Sequence, residues 1–343
     1  MSAGPELMPR TLVGRVFRRK PLAVAIGLAV LLALPPVAIA IGDPFLIKLA
    51  TRMLIYALAA AALDVIVGYG AMVSLAHGAF FGLGAYVVGI LSHHVAERSA
   101  VLGITGAWSG STSALVQWPL AIGVVGLFAL VIGALSLRTS GVYFIMITLA
   151  FAQMLYYFMV GLPNYGGEDG LNIWQRTTLP GLDLADPTTF YYVCLALLVA
   201  FIAASKALLA SRFGRVVRGV KANERRLTAL GIEPYPFKLA AFVYSACGAG
   251  LAGALIAHHT EFVGPGFMKW TISGELLVMV ILGGMGTLFG PVLGALALLV
   301  LEEVLTKLTE HWMLVLGPIL VLAVLFFRGG LWGLIAGREA RDG

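Results

Sequence analysis

The residues of this 343-residue chain that could do covalent or metal chemistry are six histidines, two cysteines and a few acids, and their spacing supports neither. Cys194 and Cys247 sit inside apolar runs, with no CxxC pair and no histidine at metal-ligand spacing, as ordinary core residues do. The pair His93 and His94 makes no metal pattern with its neighbours. There is no H-E-x-x-H helix and no G-x-S-x-G elbow. No lysine follows a glycine, so a GxxxxGK[ST] phosphate loop is absent and the chain cannot hydrolyse ATP through one. An intramembrane enzyme built on His77 or His258 with a nearby acid would have to assemble its groups in space.

The polar residues that do cluster lie in one stretch, RFGRVVRGVKANERRLTALG, residues 212–231. Arg212, Arg215, Arg218, Lys221, Arg225 and Arg226 would each cost roughly 2.5–3.5 kcal/mol at the centre of a membrane helix, so the stretch faces water. Val216, Val220, Leu227 and Leu230 fall at i, i+4, i+11 and i+14, which predicts one amphipathic helix ended by Gly231. Two readings fit: a solvated basic loop obeying the positive-inside rule, or a docking helix for a soluble protein.

The rest of the chain must hold that stretch at a membrane surface. The sequence is 60% hydrophobic and 12% charged, with a mean hydropathy of +0.95, too apolar for a soluble domain of this size. The formal charge of +6 collects between apolar runs and at the termini, where topology explains it without nucleic acid. The expected fold is all-α: a polytopic helical membrane protein of about ten spans, some of them broken or re-entrant. Residues 1–21 form an N-terminal tail and 22–328 the transmembrane domain, with a polar loop at 206–238 and an outer loop at 162–189. Residues 329–343 form a C-terminal tail. Ten crossings put both tails and the 206–238 loop on the cytoplasmic side, and that loop holds eight Lys or Arg against two acids. Asp64 lies near the cytoplasmic end of its span, where a hydrated carboxylate is expected.

Two glycine-rich interruptions stand out. GYGAMVSLAHGAFFGLGAY at 68–86 carries Ser74, His77, Gly78 and Gly82, and GGMGTLFGP at 283–291 carries Gly283, Gly284 and Gly286. MVSL at 72–75 and MVIL at 279–282 precede the two glycine-rich runs, and a repeated interruption points to a transport path. Close glycine-mediated helix packing gives the same pattern.

Five blocks together resemble the LivH/LivM family, the permease subunits of branched-chain amino acid ABC importers, and LivM more closely. They are GYGAMVSLAHGAFFGLGAY at 68–86, LRTSGVYFIMITLAFAQ at 137–153, YGGEDGL at 165–171, GRVVRGVKANERRLTALGI at 214–232 and SGELLVMVILGGMGTLFGPVLGA at 273–295. The resemblance covers about residues 50–335. The block SLAHGAF departs from the SLGHAAF of many relatives at positions 76 and 78.

That resemblance implies a multi-pass protein of a bacterial-type inner membrane. It implies partnership with a second homologous permease, two cytoplasmic ATP-binding subunits and an extracytoplasmic solute-binding protein. This chain would bind no cofactor itself; ATP and Mg would sit in the ATPase partners. The helix 214–231 would be the coupling element, with Gly214, Arg215, Val216, Arg218, Val220, Asn223, Glu224, Leu227, Ala229 and Gly231 as its working residues. Glu224, Ala229 and Gly231 loosely match the importer pattern E-A-A-x-x-x-G, with the spacing off by one. Ser74, His77, Gly78, Gly82, Gly283, Gly284 and Gly286 would line the solute path. A self-sufficient secondary carrier of a small polar solute is the alternative within transport.

Overall fold

The computed structural model describes residues 10–97, 110–174, 177–326 and 329–336. Among the described residues the architecture is all-α apart from a two-residue antiparallel pair, β1 (Leu171–Asn172) with β2 (Phe262–Val263), and two isolated bridges. Helices α1 (Arg10–Ile41), α2 (Pro44–Gly70), α3 (His77–Glu97), α4 (Ala114–Ser136), α5 (Val142–Val160), α6 (Pro187–Ala210) and α8 (Pro234–Thr260) are long and apolar enough to cross a membrane. The helices α9 (Trp270–Gly283) and α11 (Trp312–Phe326) are apolar but shorter. Helix α10 (Gly290–Leu308) carries Glu302, Glu303 and Lys307 near its end. Among the described residues seven helices therefore qualify by length and composition, which does not confirm the expected count of about ten.

Helix α2 is the axis of the bundle. From Met53 to Leu63 it is apolar on every side, as a helix surrounded by others must be. Ala57, Ala59, Ala60, Ala61 and Ala62 are fully buried and let α6, α8, α9 and α10 approach closely. Asp43 caps its first turn through the Phe45 amide (3.0 Å), with Pro44 at the first helical position. Asp186 caps α6 in the same way, accepting from the Thr189 hydroxyl (2.8 Å) and amide (2.9 Å), and those bonds hold its carboxyl below the usual carboxylate range.

Helix α3 starts inside the bundle. His77, its first residue, meets Ser245, eleven residues and so about 16 Å into α8. Residues 71–76 therefore run back alongside the end of α2 before α3 begins. Re-entrant backbone of this kind is tolerated where protein surrounds it. The motif match between 72–75 and 279–282 does not extend to conformation: the first is irregular, and the second is the last turn of α9. The second interruption, 284–289, is also irregular, with positive φ at Gly284, Gly286 and Leu288.

Helix α12 (Gly330–Ala336), within the expected C-terminal tail 329–343, packs on the bundle against α1, α9 and α10. Trp332 stacks on Phe289 at 5.8 Å because the apolar ring has a buried surface to cover. Likewise the backbone is already helical from Arg10, inside the expected N-terminal tail. Arg328, Arg338 and Arg341, at and after the end of the expected transmembrane domain, lie outside the described residues.

Candidate functional site

Helix α7 (Arg212–Ala229) occupies the polar stretch between α6 and α8. It is not the single straight helix expected from its apolar spacing. Asn223 has extended backbone (φ −168°, ψ 100°), so two short helices meet there. Its Oδ1 accepts from the Arg226 amide at 3.0 Å and caps the second piece. The four apolar positions consequently do not form one face. Val216 and Val220 are half-buried, Leu227 folds back over Gly219, and Leu230 is 71% exposed. Val217, not among the expected positions, is the buried one. Gly231 does end the element, at φ 80°.

Four contacts fix α7 to the spans. A Cβ at Gly214 would overlap the backbone of Leu209, so only glycine permits the turn out of α6. Arg218 Nη2 donates to the Leu209 carbonyl at 3.0 Å, satisfying a carbonyl at the end of α6. Lys221 Nζ donates to the Gly68 carbonyl at 2.7 Å, in the last turn of α2. Glu224 Oε1 pairs with Lys238 Nζ of α8 at 2.9 Å. Arg215, Arg225 and Ala229 remain exposed.

The two irregular segments are each held by a polar side chain from the opposite part of the chain. In 71–76, Leu75 donates to Thr148 Oγ1 of α5 (3.2 Å), and its carbonyl accepts from Ser273 Oγ of α9 (2.7 Å). Ser273 Oγ also accepts from the Gly78 amide at 2.7 Å. In 284–289, the Gly286 amide donates to Asp64 Oδ1 (2.7 Å) and the Leu288 amide to Oδ2 (3.2 Å). Asp64 is fully buried, so the hydrated carboxylate expected from its position is corrected: the glycine-rich segment covers it and uses it as an acceptor. Buried backbone amides require such partners.

Ser273→Ala should leave the Leu75 carbonyl and Gly78 amide without this partner at a cost of about 1–3 kcal/mol. A thermal melt of the purified permease measures it, with Ser273→Thr restoring the hydroxyl. A parent-like melt for the alanine variant would refute the bracing role.

The seven expected path residues are placed at helix contacts. Ser74 is buried and accepts from the Ala76 amide (3.2 Å). His77 lies between α2, α3 and α8, its Nε2 2.8 Å from Ser245 Oγ, which in turn donates to the Ala62 carbonyl. Gly78 abuts Lys269 and Ser273, and Gly82 abuts Met268. A Cβ on Gly283 would overlap the Gly290 carbonyl, Gly284 faces Gly329, and Gly286 lies against Gly68. Lys221, Asp64, Thr148 and Ser273 carry the bracing. Among them Lys221 stood out in the sequence as one of the basic residues of 212–231, and Asp64 as an acid inside an apolar run. No group of three or more metal-ligating side chains occurs among the described residues.

Comparison with known proteins adds three findings. The family described as "Branched-chain amino acid transport system / permease component" matches residues 45–325. The high-affinity branched-chain amino acid transport system permease protein LivM of Escherichia coli (strain K12) is 28% identical over 359 residues, covering 96% of this chain and 78% of the relative. The autoinducer 2 import system permease protein LsrC of Escherichia coli O9:H4 (strain HS) is 32% identical over 142 residues, covering 39% of this chain and 41% of that protein. No solved structure matches the chain.

Proposed function

Because this chain belongs to the branched-chain amino acid transport permease family and is a permease subunit of an ABC importer, we propose that α7 is its coupling element. In this reading α7 docks on a cytoplasmic ATPase, and both termini share that side of the membrane. Two such ATPases hold ATP and Mg, a second permease completes the pathway, and a solute-binding protein delivers from the other face. The name of the LivM relative supports a branched-chain amino acid or related small solute as cargo.

The observation that carries the reading is the set of bonds from α7 into the spans. A displacement of α7 is transmitted through Lys221 to the end of α2, which also carries Asp64 and so the 284–289 segment. Ser273 joins α9, which runs into that segment, to the start of α3. The two segments then move together as alternating access requires. Ser74, His77 and the five glycines set the packing of the hinges that flank the solute path. The exposed end of α7, from Arg225 to Leu230, is free to dock.

A photo-crosslinking residue at Leu230, irradiated in native membranes, tests this. The expected adduct is a soluble ATP-binding protein, with none from the same residue at Trp174, which is 81% exposed in the loop at the far ends of α6 and α8. Absence of an ATPase adduct at Leu230 and its exposed neighbours, with the chain inserted, would withdraw the coupling role from α7.

A further inference from the structure

Beneath α7 lies a cavity of about 280 Å³ that none of these contacts fills. Its walls come from four places: α7, the segment at 70–73, the turn from α4 into α5 at 137–145, and Lys238 of α8. The volume lies near the lower end of small-molecule pockets, which suits a compact solute.

Its chemistry is divided. Lys221 and Lys238 bring two cations and Glu224 one anion, so the charged side carries a formal excess of +1. Each ammonium has three donors, and one bond apiece is accounted for, to the Gly68 carbonyl and to Glu224. Glu224 bonds Lys238 through one oxygen and has a second. Thr139 and Ser140 add hydroxyls at the rim. The apolar part of the lining comes from Met72, Val73, Phe144 and Ile145. A cation excess beside one carboxylate, with apolar side chains in the same lining, complements a carboxylate, an ammonium and a branched hydrocarbon on one small molecule.

We propose that this cavity binds a free aliphatic α-amino acid from the membrane face that carries α7. The carboxylate sits toward Lys221, the ammonium toward Glu224 and the side chain on the Val73 and Ile145 wall. An occupant touches α7, the 70–73 segment and the α4–α5 turn at once. It therefore ties the coupling element to the first hinge, and the accumulated product reaches the machinery that delivers it. The choice of ligand rests on the transport reading above, whereas the site stands on its lining.

The test uses the assembled transporter in lipid nanodiscs without its solute-binding protein, with L-leucine as probe. Saturable binding is expected, displaced by L-isoleucine and L-valine. 4-Methylpentanoate lacks the ammonium and isoamylamine the carboxylate, so neither should compete. Val73→Trp and Ile145→Trp, which fill the cavity, should each weaken binding tenfold or more. A diazirine analogue of leucine should label peptides from 70–73, 137–145 or 220–224. The label needs no substitution, so it decides the matter where a tryptophan variant fails to assemble. No saturable binding, or labelling confined to other peptides, overturns the site. ATP-driven leucine uptake with the solute-binding protein present is scored separately. Uptake without this binding removes the site alone, and binding without amino acid uptake removes the proposed cargo alone.

Discussion

Asp64→Leu is expected to abolish accumulation of the permease, and Asp64→Asn to leave an inserted protein with uptake reduced at least tenfold. The carboxyl group is the acceptor for two backbone amides, those of Gly286 and Leu288, at a fully buried position. Leucine keeps the branched shape but puts two bulkier methyl groups where the carboxylate oxygens were, and it accepts nothing. Each stranded amide costs about 1–3 kcal/mol, so the pair costs about 2–6 kcal/mol. That is a large share of the roughly 5–15 kcal/mol by which a typical protein is stable. Leu288 is buried and Gly286 lies against Gly68, so water does not readily replace the carboxylate at these two amides.

Asparagine separates shape from acceptance. Its oxygen can take one of the two amides, while its NH₂ would face the other donor. The segment is then held at one point, and the link between α2 and α10 loosens without collapse. Thermal melts of the purified complex and ATP-driven uptake in vesicles measure the two consequences. Parent-like melting and uptake in Asp64→Asn would show that the segment does not depend on this acceptor.

The parts of this molecule legible in the sequence were those written in local composition. The spans followed from apolar runs, and α7 from a twenty-residue break in them. Gly231 was readable because a glycine after a helical pattern commonly adopts positive φ. The kink at Asn223 was not, because Val216 to Leu230 fit a helical period on either side of it and periodicity alone continues across the joint. Asp64 was visible as an acid but misplaced in water, since its cover comes from residues 222 and more positions away. Ser273 is an ordinary serine until α3 and the 71–76 segment are brought against it. Long-range partners of this kind have no local signature. The glycines marked close helix contacts, but their density alone could not distinguish a solute path from close backbone contact.

That distinction can be tested within a single helix. Gly283→Ala should destabilise the permease by at least about 1–3 kcal/mol and eliminate measurable uptake, whereas Gly274→Ala should be neutral or stabilising by up to about 1 kcal/mol. Both residues lie in α9. A Cβ at Gly283 would overlap the carbonyl of Gly290 and come within 2.9 Å of Pro291 N, both backbone atoms at the start of α10. Neither can rotate away, so α9 and α10 would have to separate and carry the 284–289 segment off Asp64. Gly294 faces the Met279 carbonyl from the other side of the same joint, and Gly294→Ala should act in the same sense. Around Gly274 nothing lies within 4 Å, and alanine there gains only its better helix propensity. Melts of the three variants, run side by side on the detergent-purified chain, give the ordering. If Gly283→Ala melts with Gly274→Ala, the α9–α10 joint has slack. In that case the glycines would not be the contacts that hold the second hinge closed against α2.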